Sequence, residues 1–184
     1  MKVLTSRVIA LMAVAGSCAG CVFHSDYPKG WAPVQTVASG QCPSIAGRFD
    51  NDGQSAHTNY PEWLSSLLSI KEHGSVVELV DDRSGVLRVR VLIPTRTSPV
   101  IGEKAIPYTC DEDGLRLVGG YEFHGAAPIA TVGKGTLHLT RAGDGSLVAR
   151  LTRSDAGLLL VLPIVVSEQS WIRFAPETPR QRDP

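Results

Sequence analysis

The residues best suited to carry chemistry are four cysteines, Cys18, Cys21, Cys42 and Cys110. A thiol can bind a metal, act as a nucleophile, form a disulfide or carry a lipid, and the surrounding chain decides among these. Cys18 and Cys21 end a short apolar stretch near the N-terminus, whereas Cys42 and Cys110 lie far apart in the rest of the chain. The two pairs therefore need separate explanations.

The first 20 residues have the composition of an export signal. Lys2 and Arg7 are the charged residues before Asp26, and the apolar run 8–15 follows Arg7. A basic start, an apolar core of about 7–15 residues and small residues at the exit define a secretory signal peptide. A membrane-spanning helix needs about 20 apolar residues, which is more than this run offers. Residues 1–20 are therefore predicted to be a signal peptide.

The end of this stretch resembles the lipobox of bacterial lipoproteins, in which small residues precede the cysteine that receives the lipid. Cys21 follows Ala19 and Gly20, and small residues also precede Cys18. Lipidation of Cys21 would discard Cys18 and leave an even number of thiols, whereas lipidation of Cys18 would leave Cys21 as an odd thiol in an oxidising compartment. We expect lipid on Cys21, with Cys18 as the alternative.

The resemblance to lipoproteins also implies a location. In that family an aspartate after the lipidated cysteine favours the inner membrane, and here Val22 follows Cys21. The resemblance thus implies a Gram-negative outer-membrane lipoprotein held by acyl chains such as palmitate, and several chains make such attachment stable. The expected partners are the membrane, through the N-terminal lipid, and an envelope protein.

Cys42 and Cys110 are expected to form a disulfide, because an exported domain folds in an oxidising compartment; two free buried thiols are the alternative. The bond would close a long loop and stabilise the domain by about 4 kcal/mol in the chain-entropy model.

No motif for metal binding or catalysis stands out. The five histidines have no HExxH spacing, and the acidic turns at 50–53 and 111–114 lack the pattern of an EF-hand. Neither a GxSxG nor an SxxK motif occurs. His138 alternates with Leu137 and Leu139 and is expected on the solvent side of a strand. No cofactor or metal is predicted, and the protein is expected not to be an enzyme; a hydrolase whose residues meet only in space is the alternative.

Composition narrows the class further. The formal net charge is zero and 43% of residues are hydrophobic against 20% charged, so the chain is globular and has no basic footprint for nucleic acid. We divide it into the signal peptide 1–20, a lipidated N-terminus and tether 21–41, a β domain 42–174 and a flexible tail 175–184. Tyr27 and Trp31 in the tether are interpreted as ordinary surface packing, with docking on the domain as the alternative.

Turns that end in glycine divide the domain into short strand-like runs. They are expected at 82–85, 111–114, 142–145 and 154–157. Residues 158–166 are apolar on both faces and are predicted to be a central strand or to span two packed layers, with a bulge or bend at Pro163.

One helix interrupts this pattern. Pro61 suits its first turn, leucines at 64, 67 and 68 share one face, and Gly74 suits its end, which predicts about three turns. The fold class predicted is mainly β: an antiparallel meander that forms a small barrel or strongly curved sheet, with one short amphipathic helix.

Two further resemblances concern the domain. Residues 42–53 and the run Trp171-Ile172-Arg173-Phe174 are similar to segments of small uncharacterised Gram-negative lipoproteins. Gly47-Arg48-Phe49 and Arg173 also resemble the lipocalins, whose barrels begin with Gly-x-Trp and carry an arginine packed on that tryptophan. The function expected is a structural or interaction lipoprotein, and the alternative is a lipocalin-like carrier of a small apolar ligand.

Overall fold

The computed structural model describes residues 21–23, 25–38, 41–56, 62–112, 114–118, 121–124, 129–159 and 162–178. Strands dominate this part of the chain, with one helical turn. In chain order the elements are β1 (Cys21–Phe23), β2 (Gly47–Ser55), β3 (Glu62–Trp63), α1 (Leu64–Leu67), β4 (Val76–Asp81), β5 (Val86–Leu92), β6 (Val100–Asp111), β7 (Gly114–Leu117), β8 (Tyr121–His124), β9 (Ile129–Arg141), β10 (Leu147–Leu159) and β11 (Leu162–Pro176).

Eight of the strands form a closed antiparallel barrel. The order around the ring is β2, β4, β5, β6, β7, β9, β10 and β11, and β11 then pairs with β2. In this last ladder Ile172 is opposite Ser55 and Phe174 is opposite Gly53, with a bulge before Pro176. The predicted fold class is confirmed, and the barrel is the form that the meander takes.

Three of the four predicted turns connect neighbouring strands of the ring: 82–85, 111–114 and 142–145. Gly85 and Gly145 have φ angles of 82° and 83°. This left-handed conformation costs glycine nothing, whereas a Cβ would strain it. The local chemistry of these turns thus fixes the order of the strands they join.

The prediction for residues 154–166 is wrong. Ser154 lies inside β10, opposite Ser167, so 154–157 is not a turn. The apolar run 158–166 is divided between β10 and β11, with Leu159 opposite Leu162. A run that is apolar at every position has no preferred face, so its sequence pattern could not reveal where the chain reverses.

The helix is shorter than predicted. It spans Leu64–Leu67, and Ser69 follows with a φ of 55°, which ends the helical turn. Pro61 lies outside the described residues. Leu64, Leu67 and Leu68 are nevertheless buried, as their spacing indicates. These leucines are therefore buried by a segment that consists of one helical turn followed by irregular chain.

Side chains from the strands fill the barrel. Phe49 and Phe174 are fully buried in one cluster with Leu79, Leu115 and Leu139. Leucines of α1 belong to the same cluster, so α1 lies against one end of the barrel. Near the other end Ile45 is fully buried, just before β2.

A buried amide holds α1 to the wall. Asn51 Oδ1 accepts a hydrogen bond from the backbone N–H of Ser65 at 2.8 Å, and Asn51 Nδ2 donates to the carbonyl oxygen of Gly74 at 2.8 Å. Asn51 is only 3% exposed, so these bonds satisfy groups that would be costly to leave unpaired. The contact fixes both sides of the α1 segment against β2.

Three strands continue past the barrel. Beyond their barrel neighbours, β9, β10 and β11 run on together, β8 pairs with β9 and β1 pairs in parallel with β11. The strand order of this extension is β8, β9, β10, β11, β1. We call it the sheet extension.

Closure of the barrel by β2 and β11 needs a glycine at position 53. A Cβ there would lie 2.7 Å from Ile172 Cγ2 and closer still to the ring of Phe174. We therefore expect Gly53→Ala to destabilise the fold by about 1–3 kcal/mol through overpacking. Urea unfolding measures this difference. Gly30→Ala is the matched control, because nothing lies within 4 Å of its Cβ position; equal stability of the two variants would contradict the packing seen at β2–β11.

Candidate functional site

A disulfide ties the entrance of the barrel domain to the far wall. Cys42 and Cys110 are bonded, with their Cα atoms 5.5 Å apart and a sequence separation of 68. Cys110 lies at the end of β6, opposite Leu115 of β7. The pairing is the one expected from the sequence, and it holds residues 42–46 near the β6–β7 turn.

Arg141, on β9, also holds residues 42–46 in place. Its Nη1 donates a hydrogen bond to the carbonyl oxygen of Ala46 at 2.9 Å, and its guanidinium lies 5.6 Å from the centre of the Phe49 ring. The lipocalin resemblance placed Arg173 in this role. In the structure Arg141, from β9, occupies the place over Phe49.

Arg173 takes part in a different contact, at the β9–β10 turn. Its Nη2 is 2.6 Å from Asp144 Oδ2, and its Nε donates to Ser146 Oγ at 3.1 Å. The Ser146 hydroxyl in turn donates to Asp144 Oδ1 at 2.6 Å. Hydrogen bonds from Ser146, with the charge of Arg173, lower the pKa of the Asp144 carboxyl to about 2. The group therefore clamps β11 to the turn.

The N-terminal segment 25–38 lies along the outside of the barrel. Val34 forms a bridge with Ala142, the backbone N–H of Gln35 donates to Arg141 O at 2.7 Å, and Gly143 N donates to Pro33 O at 2.9 Å. These residues belong to the stretch predicted as a tether. In the structure they are bound to the β9–β10 turn by main-chain hydrogen bonds.

Aromatic contacts continue this attachment. The Tyr27 ring meets Trp31 edge-on at 5.9 Å and Trp171 at 5.2 Å, and Arg150 lies 5.7 Å from the Trp171 ring. Trp171 Nε1 donates to the carbonyl oxygen of Ser25 at 2.9 Å. Burial raises the pKa of the Tyr27 phenol, and the charge of Asp144 adds to the effect. Tyr27 therefore docks on the domain, which was the alternative interpretation, and Trp31 packs on Tyr27.

Cys21 begins β1, beside the sheet extension. In the register, Cys21 is opposite Val166 of β11, which is opposite Asp155 of β10. Cys18, the alternative lipidation site, lies outside the described residues. The structure thus places the expected anchor residue at an edge of the sheet rather than at the end of a free tether.

A small cavity lies between α1 and the barrel wall, with a volume of about 170 Å³. Its lining includes Leu67 and Leu68 from the α1 segment and Ile106, Leu117 and Leu137 from the strands. These side chains are apolar and buried. The cavity can therefore hold a small apolar group.

Lys104 lines the cavity, and its ammonium group forms hydrogen bonds within the protein. Its Nζ donates to the carbonyl oxygens of Leu68 at 3.1 Å and Ser69 at 3.3 Å. These two carbonyls directly follow the C-terminal end of α1, where a cation is favourable. A bound molecule with an acidic group would find this positive charge at the cavity wall.

His138 is not where the sequence placed it. It is 9% exposed, its Nδ1 is 3.1 Å from Arg150 Nη2, and Asp111 Oδ1 is 3.6 Å away. Its strand alternation is as expected, since Leu137 and Leu139 are buried in the core. The expectation of a solvent-exposed histidine is wrong because a position on the outer side of a barrel can also be covered. Within the described ranges, no three side chains of His, Cys, Asp or Glu come together as a metal site.

Comparison of the chain with protein-family models, curated proteins and solved structures gave no match. Among the described residues, no helix has the length and apolar composition of a membrane-spanning one. The class that the structure itself defines is a disulfide-bonded, closed eight-stranded β-barrel.

The sequence analysis missed the cavity and the attachment of residues 25–38. A cavity depends on how the α1 segment sits on the barrel, and strand periodicity does not report that distance. The attachment did leave a signal, because Tyr27, Trp31 and Trp171 are three large aromatics in a chain with few of them. Such residues outside the core need a partner surface.

The disulfide should make a large contribution to stability. Replacing both Cys42 and Cys110 by serine is expected to lower the free energy of unfolding by about 4 kcal/mol, since the unfolded chain regains the entropy of a long loop. Guanidinium unfolding of oxidised protein measures the loss. A reducing agent should lower the wild-type midpoint and leave that of the variant unchanged; a variant as stable as the wild type would refute the contribution.

The Asp144 clamp should make stability depend on acid pH. Its folded pKa of about 2 lies below the ordinary value of 3.8, so the ionised carboxylate stabilises the fold above about pH 4, and the contribution is lost as the pH falls toward 2. We expect wild-type stability to fall more steeply over this range than that of Asp144→Asn. Urea midpoints at pH 5, 4, 3 and 2 test this, and parallel curves for the two proteins would contradict the clamp.

Proposed function

We propose that the protein is a lipid-anchored lipoprotein of the cell envelope whose β-barrel acts as a structural or interaction module. The observation that carries this proposal is the filled barrel interior. Phe49, Phe174 and a set of leucines occupy the space in which barrels of this size hold a ligand, and all are fully buried. With its interior filled, the barrel offers its outer surface for function.

The N-terminal segment covers part of the outer surface of β9, β10 and β11. Residues 25–38 make these contacts, and Cys21 lies at the edge of the sheet extension. A lipid on Cys21 would fix the orientation of the barrel toward a membrane, because β1 is hydrogen-bonded to β11. An anchor that is part of a sheet suits a module that must present one face to an envelope partner.

Outer-membrane attachment is part of the proposal. Its support is the lipobox-like end of residues 1–20 with Val22 after Cys21. Acyl chains on one cysteine supply the affinity, at about 0.8 kcal/mol for each buried methylene.

A second candidate function rests on the cavity beside α1. Its volume of about 170 Å³ is similar to that of an apolar cavity of about 150 Å³ that binds benzene, which is room for a short alkyl chain or one ring. Leu67, Ile106 and Leu137 would contact the apolar part, and Lys104 would face an acidic head. This arrangement favours a carrier of a small apolar acid, but the space is small beside the filled core.

The anchor is tested by the mass of the full chain expressed in a Gram-negative host and extracted from its membranes. We expect the mature protein to begin at Cys21 and to carry acyl chains. Cys21→Ala should abolish this acylation and Cys18→Ala, the matched control, should preserve it. Acylation lost in Cys18→Ala and retained in Cys21→Ala would move the anchor to Cys18, and an unmodified N-terminus in the wild type would refute the lipoprotein proposal.

The same preparation separates the two candidate functions. A native mass that equals the acylated chain alone, two hydrogens light for the disulfide, supports an interaction module. Extra mass that is lost on unfolding supports the carrier. Leu137→Trp is a useful variant in that case, since the larger ring would occupy the cavity and exclude the bound molecule.

A further inference from the structure

The sheet extension has a sharp boundary between charged and uncharged rows. One row across its five strands joins Phe123, Gly133, Asp155, Val166 and Cys21. On the barrel side of this row the strands carry several charged residues. They are Glu122, Lys134, Arg153 and Glu168.

On the other side of that row the charges stop. Residues 156–166 are all apolar or glycine, and on β8 and β9 the polar residues beyond the boundary are His124, opposite Val132, and Thr131. The paired rows beyond the boundary join residues 129–132 of β9, 156–159 of β10 and 162–165 of β11. Alternate residues of a strand belong to opposite faces of a sheet, and the sequence of β10 and β11 is apolar or glycine at both sets of positions here.

The barrel does not continue to this part of the sheet. β7 meets β9 at residues 138–139, and β2 meets β11 at residues 172–176, well before the boundary. The rows beyond the boundary extend about 13 Å along β11, from Val166 to Leu162. These uncharged rows, which we call the tongue, therefore lie outside the closed barrel and its core.

We propose that this tongue, residues 129–132, 156–159 and 162–165, inserts into the lipid surface as a second membrane contact beside the anchor. The inference rests on the proposed lipoprotein function. The main observation behind it is that Cys21 lies in the row that joins Phe123, Gly133, Asp155 and Val166, which we call the boundary row. The residue expected to carry the acyl chains therefore lies where the charged residues end. The direction of β1 also supports the proposal. β1 runs parallel to β11, so the N-terminal end of β1 points toward the tongue.

Main-chain hydrogen bonding limits the depth of insertion. In the described part of the sheet, β8 pairs with β9 only as far as His124–Val132, and β1 pairs with β11 only from Cys21–Val166 onward. Within the described residues neither ladder covers the outer edges of β9 and β11 beyond these pairs, and unpaired N–H and C=O groups are costly to bury in hydrocarbon. We place the tongue at the boundary of head groups and acyl chains, about 5–10 Å deep, tilted toward the membrane plane.

The test uses the acylated full chain in vesicles of phosphatidylethanolamine and phosphatidylglycerol whose acyl chains carry bromine. Tryptophan is introduced as Leu162→Trp or Ile164→Trp in the tongue, and as Val80→Trp on the barrel surface, where the side chain is 37% exposed. We expect bromine to quench the tongue tryptophans, with bromine near the head groups most effective, and to leave Val80→Trp unquenched. Emission is read as the difference from the wild type, which has three tryptophans.

The outcomes separate this inference from the anchor. An acylated protein whose tongue tryptophans are unquenched overturns the inference and leaves the lipoprotein intact; cross-linking of two copies through positions 162 and 164 would then identify a second chain as the cover. Quenching in a protein whose mass shows no acyl chains supports the tongue and refutes the anchor. Two neighbouring tongue positions are used so that misfolding of one variant does not decide the result.

Discussion

The structure depends on one ladder of hydrogen bonds, between β2 and β11. The other pairs of the ring join strands that are close in sequence, whereas this pair joins the first strand of the barrel to the last. It removes both edges of the meander and encloses the apolar faces of all eight strands in one core. It also demands close approach, which is why a glycine at 53 faces the ring of Phe174.

Closure leaves two open ends, and the chain covers each by a different means. At one end Cys42, Ile45 and Arg141 hold the segment before β2 across the barrel. At the other, the α1 segment is held by Asn51 and by Lys104. The first end is secured by a covalent bond and a cation, and the second by hydrogen bonds around a small cavity.

The sheet extension projects from one side of the barrel. Three barrel strands leave the ring together on one side, and β1 joins them with the residue proposed to carry the lipid. A charged row, a boundary row and an uncharged tongue follow one another along these strands. In this arrangement the anchor and the apolar tongue would hold the barrel in a fixed orientation to the membrane, leaving its other surfaces free for an envelope partner.

Features that depend only on neighbouring residues in the chain could be predicted from the sequence. Glycine turns at 85, 114 and 145, the period-two strands and the buried leucines of α1 were readable because turn chemistry and alternation are local. The disulfide was readable from the number of cysteines and the expected compartment. Only the tertiary structure decided the reversal between Leu159 and Leu162, because an apolar run fits any register. It alone decided that Arg141 rather than Arg173 lies over Phe49, that His138 is buried and that Tyr27 docks on Trp171, since each contact joins residues whose distance is set by barrel closure and by no pattern along the chain.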